Sequence, residues 1–406
     1  MKRLYRLFLI TTASTLFLFG CKKEDELETI EDSATTEQVA FDDVEVEDYT
    51  VLNYSELEVL AYEDDVDAQV QLGRMLEYGT EDVKQDFREA ISWYQMAADS
   101  GNADGTCALG YFYLTGTGVD QDLTKAMELF DAAIESGSVN AYVGKARVML
   151  AELSMDEDLP SLTTEDTEEE EEPTIEDEEL SEQLSTIYEY IHKAAVAGDL
   201  DGSYYLGYVY ENGIGVIADY KKAFDFYTRA AKSESEALED KYAKNRANTA
   251  LGLLYMKGEG VEPDTKTAIE YFVKASENGY PKADYYLGQI YENGLGVDKD
   301  YEQAMNYYLK AADLAYAPAL NQIGYMFYNG YGVDVDFASA VYYQKLAALQ
   351  GYAIAQVNLG FLYENGYGVE RNLETALAYY EMAADSGYEG ALEAVVRVKA
   401  QINEEM

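Results

Sequence analysis

The 406-residue sequence is poor in histidine, cysteine, tryptophan and proline, with one, two, one and five residues respectively. A single histidine argues against a multi-histidine metal site and against a histidine-based catalytic triad. Two cysteines are too few for a disulfide framework. We therefore expect no metal, no cofactor and no catalytic residues.

Positive charge is also scarce, since 29 lysines and arginines face 78 acidic residues, for a formal net charge of −49. Such a surface repels phosphate backbones and anionic lipid, so we expect no nucleic-acid partner and no electrostatic membrane binding. The hydrophobic fraction of 48% is nevertheless sufficient for a large core, and tyrosine is abundant, with 39 copies.

Residues 1–21 have the pattern of a bacterial secretion signal. Basic residues precede an apolar stretch from Leu7 to Phe19, which is too short for a membrane-spanning helix. The segment LFGC that ends at Cys21 resembles the lipobox, whose cysteine receives lipid, although Phe19 replaces the usual small residue. Lys22 argues against inner-membrane retention. The pattern predicts a lipid-anchored envelope protein of the outer membrane, periplasmic or surface-exposed; the alternative is an ordinary cleaved signal.

Two acidic segments are predicted to be flexible. Between Glu24 and Asp67 there are eighteen acids and no lysine or arginine, and residues 22–54 are interpreted as a self-repelling tether. Residues 154–182 form an insertion of similar composition, predicted to be disordered with a short helix near its end. This insertion could bind calcium or a basic partner, but a solvated excursion from the fold is the favoured interpretation.

A repeat of 36 residues is the main feature of the remaining chain. Four glycines mark it at equal spacing, and the same frame extends back through three more glycines and one alanine. A fixed period in this range indicates stacked helical repeats, eight in this chain. The marker positions are Gly73, Gly110, Ala146, Gly207, Gly252, Gly288, Gly324 and Gly360.

Each repeat has the pattern of two helices joined by a glycine-containing turn. In the copy around Gly288, apolar residues four apart define one face of a first helix. A mid-helix glycine costs about 1 kcal/mol, so we expect that the second helix approaches too closely there for a side chain. Val297 is predicted to pack on the core from the loop. Asp300 is predicted to cap the second helix, with Gln303 completing a capping box.

The alanine, Leu-Gly, G-x-G-V, aspartate and Ala-Ala positions of this pattern resemble the Sel-1-like repeat family, relatives of tetratricopeptide repeats, over residues 55–402. The resemblance implies an all-α fold, a right-handed superhelix of antiparallel helix pairs, and a role as an adaptor. Incomplete repeats are expected at both ends. A smaller insertion at 233–246 is predicted to lengthen a helix. Family members associated with penicillin binding or hydrolysis carry paired cysteines, which this chain lacks.

Large aromatic residues recur three positions before or one position after the marker residue, opposite the core-facing stripe of the first helix. In related solenoids this side lines the concave surface, where aromatics bind peptides, proteins or glycans. The alternative is burial between adjacent repeats. These candidate partner-binding residues are Tyr111, Tyr204, Tyr208, Tyr285, Tyr325 and Phe361.

The sequence therefore favours a cell-envelope scaffold that binds a protein or peptide partner over an enzyme. A second hypothesis is an accessory factor that binds surface glycan or peptidoglycan through the same aromatics. A hydrolase using acidic residues or Cys107 is the weakest alternative, because a lone cysteine in a first helix more often serves as a small hydrophobic residue. His192 is also interpreted as structural.

Overall fold

The computed structural model describes residues 49, 52–80, 82–153, 178–235 and 237–405. Within them the secondary structure is helical, with eighteen α-helices and one short 3₁₀ turn at Glu389–Ala391, so the predicted all-α fold is confirmed. Cys21 and the predicted signal, nearly all of the tether, and residues 154–177 of the acidic insertion lie outside the described residues.

The helices follow one another through the chain with short connections, apart from the insertion between α6 and α7. They are α1 (Tyr54–Tyr62), α2 (Val66–Tyr78), α3 (Phe87–Asp99), α4 (Ala103–Thr115), α5 (Leu123–Glu135), α6 (Asn140–Leu153), α7 (Glu178–Val196), α8 (Leu200–Asn212), α9 (Tyr220–Ala231), α10 (Leu238–Lys257), α11 (Thr265–Glu277), α12 (Pro281–Asn293), α13 (Tyr301–Asp313), α14 (Ala317–Asn329), α15 (Phe337–Leu349), α16 (Ala353–Asn365), α17 (Leu373–Asp385) and α18 (Leu392–Glu405).

Consecutive helices pair into hairpins, and each hairpin packs on the next. The eight hairpins run from α2–α3 to α16–α17 and are numbered here as repeats one to eight. The flanking α1 and α18 pack on the first and last hairpins. Because an isolated hairpin cannot shield its apolar side, this stacking supplies the continuous core of a solenoid.

The first helices of repeats one to five lie on the inner side of the stack. Helix α6 contacts both α4 and α8, α8 contacts α10, and α10 returns to contact α2. The second helices of consecutive repeats make no comparable contacts within the described part of the chain. We use "inner face" for the side of the first helices that faces this shared space.

Six of the seven marker glycines accept an aromatic ring from the second helix, and Gly324 accepts the side chain of Gln344. In repeat four, a Cβ added at Gly207 would lie 2.6 Å from Cδ1 of Tyr227, too close for any real side chain. The expected close approach is thus confirmed, and the approaching group is a ring. In repeat three the ring is replaced by the buried Ile191, which packs in the same cluster as Ala146. The glycine–ring pairs are Gly73–Tyr94, Gly110–Phe130, Gly207–Tyr227, Gly252–Phe272, Gly288–Tyr308 and Gly360–Tyr380.

Where this ring is a tyrosine, its hydroxyl donates a hydrogen bond to a glutamate four residues after the glycine. The Tyr227 hydroxyl lies 2.6 Å from Oε2 of Glu211, and equivalent bonds join Tyr94 to Glu77, Tyr308 to Glu292 and Tyr380 to Glu364. In repeats two and five the ring is phenylalanine and the glutamate position holds Leu114 and Met256. Donor and acceptor are therefore present or absent together.

The two glycines of the G-x-G loop have different structural roles. Gly294 has φ +70° in the left-handed region and ends α12, whereas Gly296 leaves room for Thr265 of the preceding repeat, 2.8 Å from an added Cβ. Half-buried Val297 packs on the core as predicted. Asp300 caps α13 by accepting from the backbone N–H of Gln303 at 3.0 Å.

The predicted capping box with Gln303 is wrong. The backbone N–H of Asp300 donates to the carbonyl of Tyr291 at 2.8 Å, so it needs no side-chain acceptor. The equivalent residues of six other repeats also accept backbone N–H groups at the starts of their second helices: Asp86, Asp122, Asp219, Asp264, Asp336 and Asn372.

Stacked aromatic pairs account for many of the tyrosines. In repeat six the rings of Tyr291 and Tyr307 are 5.6 Å apart and inclined by 9°. The same pairing of first and second helix recurs in four other repeats: Tyr210 with Phe226, Tyr255 with Tyr271, Phe327 with Tyr343, and Tyr363 with Tyr379. Offset stacking of this kind adds to the stability that burial alone provides.

The two insertions have different outcomes. As predicted for residues 233–246, α10 is lengthened: it has 20 residues, and its first turn reaches α2, where Arg74 Nη2 lies 3.0 Å from Glu239 Oε1. Residues 178–182, at the end of the acidic insertion where a short helix is expected, form the start of α7. The reason is the apolar face of α7, on which Leu184 and later residues are buried in the core.

We predict that Tyr227→Phe lowers the free energy of unfolding by about 1 to 3 kcal/mol, because Glu211 loses its hydrogen-bond donor. Adding Glu211→Met should recover much of this loss, since the double variant recreates the phenylalanine–methionine pair of repeat five. Urea unfolding of the wild type, both single variants and the double variant measures the coupling. Additive effects of the two changes would contradict the pairing.

Candidate functional site

A pocket of about 560 Å³ lies among the first helices of repeats one to five. Helices α2, α4, α6, α8 and α10 all contribute side chains, and we call this cavity the inner pocket. Its volume is in the range typical of ligand-binding sites. Three arginines, Arg74, Arg147 and Arg246, line the inner pocket together with several carboxylates.

Two of the three arginines are held by carboxylates. Arg74 Nη2 lies 3.1 Å from Asp104 and 3.0 Å from Glu239, which ties α2 to α4 and to α10. Arg246 forms an ion pair with Asp201, and its side chain is 10% exposed. These pairs neutralise charges that would be costly to bury alone.

Tyrosines surround Arg246 as well. Its guanidinium carbon lies 4.8 Å from the centres of the Tyr204 and Tyr242 rings. Its Nη1 donates to the Tyr205 hydroxyl at 2.8 Å. Cation–π contacts of this kind stabilise a guanidinium that has little contact with water.

Arg147 differs from the other two arginines. Its guanidinium carbon lies 5.2 Å from the ring centre of Tyr111 and 5.6 Å from that of Tyr205. No carboxylate of the described residues lies within ion-pairing distance of it. The inner pocket therefore contains a half-buried cation whose neighbours are aromatic faces.

Burial raises the pKa values of two carboxyl groups in the inner pocket. Desolvation raises the pKa of Glu77 to about 7, against the effect of a 2.7 Å hydrogen bond donated by the Tyr94 hydroxyl. The pKa of Asp199 also rises to about 7, through burial and the nearby charge of Asp201. Both carboxyls are thus partly protonated near neutral pH.

Three of the six sequence-predicted aromatic residues are half-buried. The Tyr111 hydroxyl donates to Asn140 Oδ1 at 2.7 Å. Tyr204 packs against Tyr227, and Tyr285 lies between rings of neighbouring elements, 5.8 Å from Tyr308 and 5.7 Å from Tyr316.

The other three aromatic residues face solvent. Tyr208 is 37% exposed, Tyr325 42% and Phe361 39%. They occupy the same position, one residue after the marker glycine, in repeats four, seven and eight. We call them the exposed aromatic set. No two of the six candidate rings pair with each other in the described part of the chain, so the structure does not join them into one ladder.

Sequence reasoning missed the arginines, although their positions carried a signal. Arg74 and Arg147 occupy the same place in repeats one and three that Tyr208 occupies in repeat four, one residue after the marker. This position holds arginine in repeats one and three and an aromatic residue in repeats two, four, seven and eight.

The surroundings of Cys107 and His192 fit structural roles for both side chains. Cys107 lines the inner pocket but is only 4% exposed, and burial raises the pKa of its thiol, which keeps it protonated and poorly nucleophilic. His192 is exposed on α7, 5.5 Å from the Tyr188 ring. Among the described residues no three His, Cys, Asp or Glu side chains gather in a way that could hold a metal ion.

None of the described helices combines the length and apolar character needed to cross a membrane.

The stacked helical hairpins, each with a marker glycine and most with a G-x-G loop, place the chain among the helical repeat proteins. A comparison with known protein families identifies the repeat. Seven of the eight repeats match the family model described as Sel1 repeat; repeat three, with its insertion and no loop signature, lies outside the matched segments. The matches are at 66–102, 103–138, 200–235, 245–280, 281–316, 317–352 and 353–388.

These segments cover more than half of the chain, and the protein belongs to the Sel1 repeat family. Members of this family generally act as scaffolds for protein–protein interaction and are typically non-enzymatic.

Relatives agree with this assignment. The Sel1-repeat-containing protein YjcO of Escherichia coli K12 is 29% identical over 146 residues, which is 36% of this chain and 54% of that protein. The match thus spans about half the length of the curated relative. The crystal structure of a Sel1 repeat protein from Oxalobacter formigenes is similar with a TM-score of 0.50 and 25% identity, covering 85% of this chain and 90% of that one.

We predict that Glu77 makes the fold less stable as pH rises. Burial raises the pKa of its carboxyl to about 7 in the folded protein, from an ordinary value of 4.5. The folded state therefore binds its proton more tightly, and this contribution is complete below pH 4.5 and lost as pH rises through 7.

Glu77→Gln keeps the hydrogen-bond acceptor without the charge, so the variant should lose less thermal stability than the wild type between pH 5 and pH 8. Calorimetry at both pH values measures the difference. Glu270→Gln, on the exposed face of α11, is the control and should follow the wild type. Equal losses in the wild type and Glu77→Gln would contradict the raised pKa.

Proposed function

We propose that the protein is a lipid-anchored scaffold of the bacterial cell envelope that binds a protein or peptide partner on its inner face. The observation that carries the proposal is the exposed aromatic set. Rings at one repeat position, each more than a third exposed, offer apolar area that the fold itself does not use. Tyrosine, together with tryptophan and arginine, dominates the energetics of protein interfaces.

The composition of this repeat position favours a protein partner over a glycan. Arginines occupy it in repeats one and three, and aromatics occupy it in repeats two, four, seven and eight. A row that mixes guanidinium groups with tyrosines suits a polypeptide with both charged and apolar side chains. Glycan binding through the exposed aromatic set is the second candidate, since sugar rings also stack on aromatic faces.

The lipid anchor and the localisation rest on the amino-terminal pattern that ends at Cys21. Lipid on this cysteine would place the solenoid at a membrane, with residues 22–54 setting its reach. We propose the outer membrane as the site, periplasmic or surface-exposed.

We predict that changing Tyr208, Tyr325 and Phe361 together to serine reduces partner capture at least tenfold while the fold persists. A photo-crosslinking residue at position 289, on the inner face between them, is activated in intact cells, and the adduct is identified by mass spectrometry. A matched control changes exposed second-helix residues to serine: Tyr342, Leu349 and Met382.

The control should give the wild-type adduct. If the aromatic variant gives that adduct at the wild-type level while its circular dichroism is unchanged, the inner face is not the binding surface. A glycan array probed with the same proteins separates the second candidate: binding of sugar that is lost in the aromatic variant, without any protein adduct, would favour it.

We also predict that Cys21→Ser abolishes incorporation of radiolabelled palmitate and releases the protein from the membrane fraction. Cys107→Ser is the matched control and should retain both the label and the membrane association. Release of wild-type protein into the soluble fraction, without label, would show that the segment is an ordinary cleaved signal.

A further inference from the structure

Arg147 is a cation without a counter-ion among the described residues, in a chain that has more than two acids for each base. The other pocket arginines, Arg74 and Arg246, each have at least one carboxylate partner. A half-buried guanidinium in an acidic protein would readily acquire such a partner if its role were only structural. Its free state therefore points to an anion that comes from outside the described fold.

The neighbours of Arg147 leave its hydrogen-bonding edge available. Tyr111 and Tyr205 contact the guanidinium through their ring faces, and both rings are fixed, the first by its bond to Asn140 and the second by the bond from Arg246. Ring stacking engages the flat faces of a guanidinium, whereas its N–H donors lie in the plane. A carboxylate is the anion that matches this planar fork.

Helices surround the inner pocket, which remains partly open to solvent. The first turn of α10 meets α2, and Arg74 joins Glu239 of α10 to Asp104 of α4. Helices α4, α6, α8 and α10 make successive contacts around the rest of the pocket. Because this cavity of about 560 Å³ is concave, the end of a polypeptide fits it better than the middle of a folded chain does.

The inner pocket also holds carboxyls that lack a cation. Asp199 accepts from the backbone N–H of Gly202, and Asp240 accepts from the Ser235 hydroxyl. Neither forms an ion pair within the described residues. The unpaired groups of the pocket are thus one guanidinium and several carboxyls, which complement a ligand carrying one carboxylate and a nearby positive charge.

We propose that the inner pocket binds the carboxyl terminus of a peptide that ends in lysine or arginine, with Arg147 holding the terminal carboxylate and Asp199 and Asp240 facing the basic side chain. The proposal rests on the proposed function, because it identifies the part of a protein partner that the scaffold receives. The exposed aromatic set would then contact other parts of the same partner.

The test uses fluorescein-labelled hexapeptide pools with five randomised positions and a fixed last residue. One pool ends in lysine with a free carboxylate, the second ends in lysine amide and the third ends in glutamate. Fluorescence anisotropy with the full chain should show binding of the first pool at least tenfold tighter than of the other two. Arg147→Gln should bring the first pool to the level of the amide.

Arg88→Gln, an exposed change outside the inner pocket, is the matched control and should bind as the wild type does. Arg147→Lys keeps the charge without the planar fork and should retain intermediate affinity, which guards against misreading a folding defect of the glutamine variant. Equal binding of free acid and amide, unchanged affinity in Arg147→Gln, or no binding of any pool would each overturn the proposal.

Failure of this proposal is distinguishable from failure of the scaffold function. If the pools do not discriminate while the aromatic variant still loses its cross-linked partner, the terminus-binding pocket is wrong and the scaffold stands. If the aromatic variant keeps its partner while Arg147→Gln loses the lysine pool, the pocket stands and the binding surface proposed for the exposed aromatic set is wrong.

Discussion

The packing of a ring against a glycine, in six of the eight repeats, determines how closely the two helices of a hairpin approach. In repeat four the Tyr227 ring occupies the space where a side chain at Gly207 would lie, and its hydroxyl reaches Glu211. A glycine in mid-helix is unfavourable on its own, so its recurrence depends on the side chain that it admits, which in repeat seven is Gln344. Repeat three supports the same relation, because Ala146 is tolerated where Ile191 replaces the ring.

Uniform hairpins place one position of every first helix on the same side of the stack, and the chemistry at that position then varies along the chain. Arginine occupies it in repeats one and three, and tyrosine or phenylalanine occupies it in repeats two, four, seven and eight. The fold is therefore maintained by one set of residues and the surface is defined by another. This separation lets a scaffold change partners without changing its core.

The inner pocket arises from a departure from the repeat. The extension of α10 brings Glu239 to Arg74, more than 160 residues away in sequence, and closes a space that regular repeats would leave open at the side. Arg246, on the same helix, is anchored by Asp201 and by three tyrosine rings. An insertion that looks like an irregularity in the sequence thus supplies part of the wall and part of the charge of the candidate site.

The sequence by itself determined the repeat, the helix pairs, the aspartate caps and the buried glycines, because each depends on residues within about 36 positions and on local rules of helix geometry. It also marked the inner-face position, although Arg147 went unnoticed there. Only the tertiary structure decided which aromatics are exposed, that Asp300 needs no capping box, and that α10 meets α2. Those outcomes depend on contacts between repeats. The geometry of these contacts builds up along the stack, so no single sequence position encodes it.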